Sequence, residues 1–252
     1  MNTLYKLLLA GVPLLGLAAC GGGDTADRLD VADPVVRFVH ASPYAPNVTL
    51  YRGTVAQSDA TNVAYKFGSN YFDVDTSAAD WSVKTAVGAA SVGSVLIDPV
   101  RGNKYTIVAL PTSAIANDVY LITDPYNKSL ASDNARVRVL NASFNAGNID
   151  LYVTASTTDI TAPNVLPTIG GTVFRTAGPA TGSDSVQIEG GTYQVIVTTA
   201  ATKTVLFKGQ LAINKNADVL FLTVPDTGTP AGVKVLAKVE GTAGANELPA
   251  AP

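Results

Sequence analysis

The amino-acid sequence predicts an all-β protein built from two tandem antiparallel β-sandwich domains. Strand-forming and turn-forming residues dominate the chain, which has 252 residues with 22 glycines and 14 prolines. No segment has a sustained helical repeat of apolar positions. A pattern of sixteen residues also occurs twice, and this repeat predicts two similar domains in succession.

The repeated pattern begins at Val36 and recurs 101 residues later at Val137. The two copies are VRFVHASPYAPNVTLY and VRVLNASFNAGNIDLY, and eight positions are identical. Each copy predicts a strand, a loop rich in Pro, Gly and Asn, and a second strand that alternates in polarity. About seven short strands with regular turns are expected in each unit, which is typical of an immunoglobulin-like sandwich.

The first twenty residues have the three parts of a bacterial export signal. Lys6 supplies positive charge, residues 7–17 form an apolar run, and Leu-Ala-Ala-Cys precedes three glycines. The apolar run is shorter than the ~20 residues that a membrane-spanning helix needs. Leu-Ala-Ala-Cys resembles the lipobox of bacterial lipoproteins, which implies cleavage before Cys20 and lipidation of its thiol. Cys20 is the only cysteine in the chain.

These features divide the chain into six predicted segments. They are a lipoprotein signal peptide at 1–19, the lipidated Cys20 with a flexible tether at 20–34, a first sandwich at 35–125, a linker at 126–135, a second sandwich at 136–240 and a disordered tail at 241–252. By the lipoprotein resemblance, Gly rather than Asp after Cys20 implies anchoring in the outer membrane of a Gram-negative host. The body would face the periplasm or the cell exterior.

The repeated pattern V-R-x-x-x-A-S-x-x-A-x-N-[VI]-x-L-Y resembles the family known as domain of unknown function 4397. The stretch RGNKYTIV at 101–108 resembles a later strand of that family, and residues 119–138 resemble its bridge between copies. The resemblance covers about residues 35–240 and weakens near Ala217. It implies exported bacterial proteins, often lipoproteins with tandem copies, and it carries no established activity and no catalytic residues.

The sequence offers no convincing catalytic set. His40 is the only histidine, and its counterpart in the second copy is Asn141, so the repeat does not require an imidazole. We therefore predict that His40 is a packed or hydrogen-bonded strand residue. One histidine and one acylated cysteine are too few ligands for zinc. We predict no enzyme activity and no cofactor.

One acidic cluster, Asp73, Asp75 and Asp80, is a weak calcium candidate, because alternating oxygen ligands suit this ion. The glycine and the final glutamate of a calcium-binding EF loop are missing, and a solvated turn is the alternative interpretation. The net charge is −3 and there is no basic patch, so nucleic-acid binding is not predicted.

Three other features leave room for a binding role. The repeated Arg37 and Arg138 are expected to have a structural role, bonding carbonyls or a carboxylate near the domain joint. Loop aromatics are expected either to cover the ends of the sandwiches or to stack on sugars; they are Tyr44, Tyr71, Phe72, Tyr126 and Phe144. The long irregular stretch at 155–172 is where we expect specificity.

The favoured function is a non-catalytic, membrane-anchored envelope lipoprotein that serves as a binding or structural module for an unknown ligand. Its expected partners are the membrane, through the lipid on Cys20, and an envelope protein or glycan. The alternative is an accessory subunit of an envelope assembly or transport complex. An envelope hydrolase that uses the Asp73, Asp75 and Asp80 carboxylates is less favoured, because the sequence offers no convincing catalytic set and a fold alone does not assign chemistry.

Overall fold

A computed structural model describes residues 33–125, 132–229 and 232–251. The predicted signal peptide, Cys20, almost all of the tether and most of the predicted linker lie outside these residues. Strands dominate the described chain, with one short 3-10 turn at Ser58–Ala60, so the predicted all-β class is confirmed. No helix among the described residues is long and apolar enough to cross a membrane.

The first sandwich contains eight strands in two sheets. The strands are β1 (Val35–His40), β2 (Val48–Arg52), β3 (Val55–Ala56), β4 (Phe72–Asp73), β5 (Ala79–Thr85), β6 (Ser91–Ile97), β7 (Asn103–Pro111) and β8 (Asn117–Pro125). One sheet has the order β4-β1-β7-β8, and we call it the first inner sheet because it faces the second sandwich. The first outer sheet has the order β3-β2-β5-β6.

The second sandwich repeats this arrangement with ten strands. They are β9 (Asn134–Asn141), β10 (Ile149–Thr154), β11 (Ile169–Thr172), β12 (Ala177–Gly178), β13 (Val186–Glu189), β14 (Gly191–Thr199), β15 (Val205–Ile213), β16 (Asp218–Pro225), β17 (Val233–Val239) and β18 (Asn246–Glu247). The second inner sheet has the order β12-β9-β16-β17-β18, with β13 also paired to β9. The second outer sheet has the order β11-β10-β14-β15.

The prediction of wholly antiparallel sheets needs one correction, because each inner sheet is mixed. β1 pairs with β7 in parallel, and β9 pairs with β16 in parallel; the other strand pairs are antiparallel. Two parallel strands need a long connection between them. Here the chain that connects each parallel pair forms all the strands of the outer sheet in the same sandwich. The first strand of each sequence repeat is therefore an interior strand of an inner sheet.

Each sandwich has its own apolar core between its two sheets. Phe38 and Trp81, both fully buried, lie in the first core, and Phe221 lies fully buried in the second. Alternate residues of β1, such as Val36 and Phe38, point into this core because side chains alternate across a strand. The intervening residues face the other way, toward the second sandwich.

A third apolar cluster joins the two inner sheets. Val39, Val108 and Leu110 of the first sandwich lie in one cluster with Leu140 and Leu222 of the second. All five side chains are fully buried. The inner sheets consequently have buried apolar residues on both faces, which is typical of strands buried on both sides. This apolar cluster forms one part of the surface over which the two sandwiches dock.

The prediction of a disordered tail after residue 240 is wrong for residues 241–251. β18 pairs with β17, Leu248 enters the core of the second sandwich, and Ala245 is fully buried in the interface cluster. The Ala245 N–H also donates to the Lys66 carbonyl of the first sandwich at 2.8 Å. The segment has few apolar residues, and backbone hydrogen bonds to β17 and to the first sandwich also hold it in place.

The predicted linker at 126–135 is shorter than expected at its carboxyl end. β9 already begins at Asn134, and β13 pairs with β9 as far as Asn134 and Ala135. Residues 126–131 of the predicted linker lie outside the described chain. The polar composition of PYNKSLASDN did not indicate where the strand would start, because Asn and Ala are compatible with both turn and strand ends.

Candidate functional site

His40 has a structural role that its repeat counterpart shares. Its ring is fully buried, Nε2 donates to the Pro46 carbonyl at 3.1 Å, and Nδ1 accepts from the Ser42 N–H at 3.4 Å. Asn141 makes the same two contacts, donating to the Gly147 carbonyl at 2.8 Å and accepting from the Ser143 N–H at 3.2 Å.

The histidine and the asparagine therefore brace the same loop in the two copies, each bonding the carbonyl six residues on and the amide two residues on. Burial lowers the pKa of His40, although its hydrogen bond to Pro46 works in the opposite direction. The ring is then neutral near pH 7, as a donor–acceptor pair of ring nitrogens requires. The Ser42 hydroxyl donates to Asn117 and not to the His40 ring.

The calcium candidate is not assembled. Asp73, Asp75 and Asp80 are exposed, and no group of three or more His, Cys, Asp or Glu side chains able to hold a metal forms within the described residues. Asp75 instead forms a bidentate pair with Arg52, with contacts of 2.7 and 2.9 Å, and accepts from the Ser77 N–H. The Arg52 hydrogen bonds hold the pKa of Asp75 well below its usual range.

The most charged buried region lies between the two inner sheets, where the sequence predicted a structural role for the repeated arginines. Arg138 is 3% exposed, and its guanidinium donates to the Ala180 carbonyl and to Asp124 of the first sandwich, both at 3.0 Å. It also donates to the carbonyls of Pro179 and Ser183. Arg138 therefore fixes the 179–183 turn and links the two sandwiches.

Arg37, the counterpart of Arg138, lies on the opposite side of this region. Its Nε donates to the Thr106 hydroxyl at 2.9 Å, and its guanidinium lies 4.6 Å from the centre of the Tyr71 ring. Lys104, on the strand next to Arg37, donates to Glu240 of the second sandwich at 2.6 Å. In this region each sandwich thus contributes a cation that pairs with a carboxylate of the other, and the pairs Lys66–Glu247 and Arg175–Asp118 cross the interface elsewhere.

Burial and charge also perturb Glu240 and Lys238 at this interface. Burial opposes ionisation of Glu240, but a hydrogen bond with Asp218 and the charge of Lys104 hold its pKa below the usual range. Lys238 is 1% exposed, and burial, followed by repulsion from Arg37, lowers its pKa to about 8.

The low pKa of Lys238 predicts a rise in stability between pH 8 and 10. In this window the unfolded chain keeps the proton on Lys238 while the folded chain releases it, so the free energy of unfolding increases with pH. Urea unfolding at pH 7, 8, 9 and 10 measures the slope. Lys238→Met should remove much of it and Lys84→Met, on the first outer sheet, should not. Equal slopes in both variants would contradict this assignment.

The long loop that follows β10 packs on the second outer sheet. Tyr152 is 1% exposed because Ile160 and Val165 of this loop cover it. The Gln194 amide donates to two loop carbonyls, at Ala155 and Thr158, at 3.0 and 2.8 Å. The segment in which we expect specificity thus covers the outer face of its own sheet.

The first outer sheet is left open at the equivalent position. Tyr51 is the repeat counterpart of Tyr152, and only two residues separate β2 from β3 in place of the long loop. Tyr51 is partly exposed, with Ser82 directly opposite and Ser94 next in the same row. The Lys84 ammonium lies 4.9 Å from the centre of the Tyr51 ring.

Sequence reasoning missed Tyr51 as a functional candidate. The repeat places a Leu-Tyr pair at the same point in both copies, so the pair itself does not distinguish Tyr51 from Tyr152. The available signal was the difference in loop length after the pair, two residues against fourteen. A short hairpin cannot cover the ring, and a long loop can.

The loop aromatics singled out from the sequence are packed where the structure describes them. Tyr44 and Phe144, from opposite sandwiches, contact each other with ring centres 6.0 Å apart. Phe72 packs on Trp81 at 6.1 Å, and Tyr71 lies beneath Arg37. Tyr126 lies outside the described residues. These described rings therefore pack within the first sandwich or between the two sandwiches.

The geometry defines a class of protein, an all-β pair of docked sandwiches with one open outer face. Residues 34–152 match the family described as "Domain of unknown function (DUF4397)", which confirms the predicted resemblance over these residues. The match includes the first sandwich and the start of the second. No curated protein is similar enough in sequence to match this chain.

Three solved structures resemble the chain remotely. A family 26 carbohydrate-binding module of Amy13K from Eubacterium rectale, in complex with maltoheptaose, is 8% identical, with 84% of this chain and 97% of that chain covered and a TM-score of 0.25. A family 41 carbohydrate-binding module from streptococcal virulence factors, described as recognising alpha-glucan, is 13% identical. The comparison covers 80% of this chain and 96% of that chain, with a TM-score of 0.23. A putative adhesin from Bacteroides ovatus is 10% identical. The comparison covers 86% of this chain and 95% of that chain, with a TM-score of 0.24. These likenesses are too remote to assign a ligand.

Proposed function

We propose that the protein is a non-catalytic envelope lipoprotein, anchored through a lipid on Cys20, that binds a glycan on the open face of its first outer sheet. The observation that supports the proposal is that a loop covers the second outer sheet and no such loop covers the first at the equivalent position. Tyr152 is buried under its own loop, whereas Tyr51 is partly exposed at the matching position. The His40 ring and the Asp75 carboxylate are both engaged in structural contacts.

The open face has groups that suit a sugar. The Tyr51 ring offers an apolar surface with a polar hydroxyl, and an exposed aromatic ring of this kind is suited to stacking on a pyranose. Ser82 and Ser94 beside it are small, and the Lys84 ammonium lies over one face of the ring. Lys84 and Asp80, also on this face, provide a donor and acceptors for hydroxyl groups.

A glycan array with neutral and acidic oligosaccharides tests the binding proposal. We expect the purified mature protein to bind a subset of glycans and Tyr51→Phe to bind the same subset. Tyr51→Ala is expected to bind roughly tenfold more weakly, a loss of about 1.4 kcal/mol. Ile115→Ser, at a 95% exposed residue in the β7–β8 turn, is the matched control and should bind normally. Binding by Tyr51→Ala equal to wild type would disprove a role for this face.

The lipid anchor is tested separately with Cys20→Ser. The wild-type chain should incorporate labelled palmitate and sediment with membranes, because several acyl chains together anchor a protein stably. Cys20→Ser should incorporate none and should not sediment with membranes. Palmitate labelling that persists in Cys20→Ser would refute the anchor, since Cys20 is the only cysteine.

The same cells distinguish the outer-membrane orientation and the alternative function. Digestion of the anchored protein by protease added to intact cells supports display at the cell exterior. Protection until the outer membrane is broken supports a periplasmic orientation. A stoichiometric envelope complex recovered by crosslinking, in a protein that binds no glycan, would favour the accessory-subunit function over the one proposed here.

A further inference from the structure

A small cavity lies inside the interface between the two inner sheets. It encloses about 20 Å³, and both sandwiches contribute to its wall. Its charged lining consists of Arg37, Lys104, Asp124, Arg136, Arg138 and Asp218. Four of these side chains are cations, and each cation is at least 94% buried. The cavity is therefore enclosed by charge in a region where water does not screen it well.

Positive charge exceeds negative charge around this cavity. Next to the lining, Lys238 and Glu240 add one cation and one carboxylate, and both interact with Arg37. The lining itself holds four cations and two carboxylates. A buried cation is expensive unless an opposite charge compensates it. Among the described residues, Arg37 bonds the Thr106 hydroxyl and lies over the Tyr71 ring, and it forms no ion pair. The interface therefore favours a bound anion beside Arg37.

Two guanidinium nitrogens at the cavity have no protein acceptor. They are Nη1 of Arg37 and Nε of Arg138, and both are buried. An unsatisfied N–H on a charged group costs more than an ordinary lost hydrogen bond. An anion between the two arginines would accept from both nitrogens and would supply the missing negative charge. A water molecule would accept these bonds but would leave the charge uncompensated.

The size of the cavity limits the class of anion. A space of at least about 10–15 Å³ by this measure is needed for a single water molecule, so about 20 Å³ holds one small particle. A phosphate, a sulfate or a carboxylate ligand is too large. We propose that the cavity is a binding site for one monatomic anion, chloride in a natural setting, shared between Arg37 and Arg138 and stabilising the docked pair of sandwiches.

Crystals of the full mature protein grown in, or soaked with, sodium bromide provide the direct test. We expect an anomalous bromide peak between the Arg37 and Arg138 guanidinium groups, within about 3.5 Å of the two orphaned nitrogens. A fully occupied water at this position, with no anomalous signal at high bromide concentration, would overturn the proposal. This test uses the wild-type chain, so it does not depend on the folding of any variant.

A solution test measures the effect of the anion on stability. Urea unfolding is followed at a fixed sodium concentration while gluconate is replaced by chloride or bromide. An anion that binds only the folded chain should raise the urea midpoint with its concentration. We expect this increase to fall at least threefold in Arg37→Leu and to stay unchanged in Lys215→Met, which alters an exposed ion pair with Asp133. An equal increase in all three proteins would mean a general salt effect and would contradict the site.

Discussion

Replacing Arg138 with methionine is expected to lower the free energy of unfolding by about 3–5 kcal/mol, the cost of breaking a buried ion pair from one side. The substitution leaves Asp124 facing the interface without this partner and removes the donor to the carbonyls of Pro179, Ala180 and Ser183. Methionine fills a similar volume, so the loss reports the charge and its hydrogen bonds more than a cavity.

Urea unfolding monitored by far-UV circular dichroism measures this loss. Lys215→Met is the matched control, because Lys215 pairs with Asp133 where both side chains are mostly exposed. Exposed pairs contribute little to stability, so the control midpoint should not move. A similar midpoint for Arg138→Met and Lys215→Met would show that the guanidinium does not hold the two sandwiches together.

Replacing Leu222 with aspartate is expected to have a still larger effect, at least about 4 kcal/mol and enough to prevent stable docking. Leu222 is fully buried in the apolar cluster between the inner sheets. The aspartate would lose the burial of the leucine side chain and would place a carboxylate among Val39, Val108 and Leu140 without a partner.

The same substitution at Leu166 is the control for Leu222→Asp. Leu166 is 78% exposed in the loop that covers the second outer sheet, so an aspartate there is solvated. We expect Leu166→Asp to elute and unfold like the wild type, and Leu222→Asp to elute earlier on size exclusion and to exchange interface amides faster. Protected interface amides in Leu222→Asp would contradict the docking described here.

The sequence was sufficient for the class of fold and for the structural interpretation of His40. Local periodicity and turn residues identify the main strands because these signals act over a few residues. The substitution of His40 by Asn141 in the second copy was the decisive clue. Each side chain has a donor and an acceptor. Each donates to the carbonyl six residues further on and accepts from the N–H two residues further on.

Docking between the sandwiches could not be predicted, because it depends on contacts between residues far apart in sequence. A partial signal was present in β7 and β16, whose sequences NKYTIVALP and DVLFLTVP are nearly continuous apolar runs. Such runs indicate strands that are buried on both faces. They do not identify what covers the second face. The ordered tail has the same explanation, since Ala245 and Leu248 are fixed by distant partners.

The candidate binding face was also beyond the sequence. Tyr51 and Tyr152 occupy identical places in the repeat, and only the three-dimensional course of the 155–168 loop makes one ring buried and the other accessible. The acidic cluster shows the reverse case. Asp73, Asp75 and Asp80 are close in sequence, but strand geometry and the pair between Arg52 and Asp75 keep them from forming one site.

The central claim is that the two sandwiches form one cooperative body, and the only tryptophan provides the most direct measurement. Trp81 is fully buried in the core of the first sandwich, so its fluorescence reports unfolding of that sandwich alone. Leu222→Ala alters the second sandwich at the interface. We expect the urea midpoint of the Trp81 signal to fall together with that of circular dichroism, by a destabilisation of about 2–5 kcal/mol. An unchanged Trp81 midpoint, with circular dichroism splitting into two transitions, would contradict the claim.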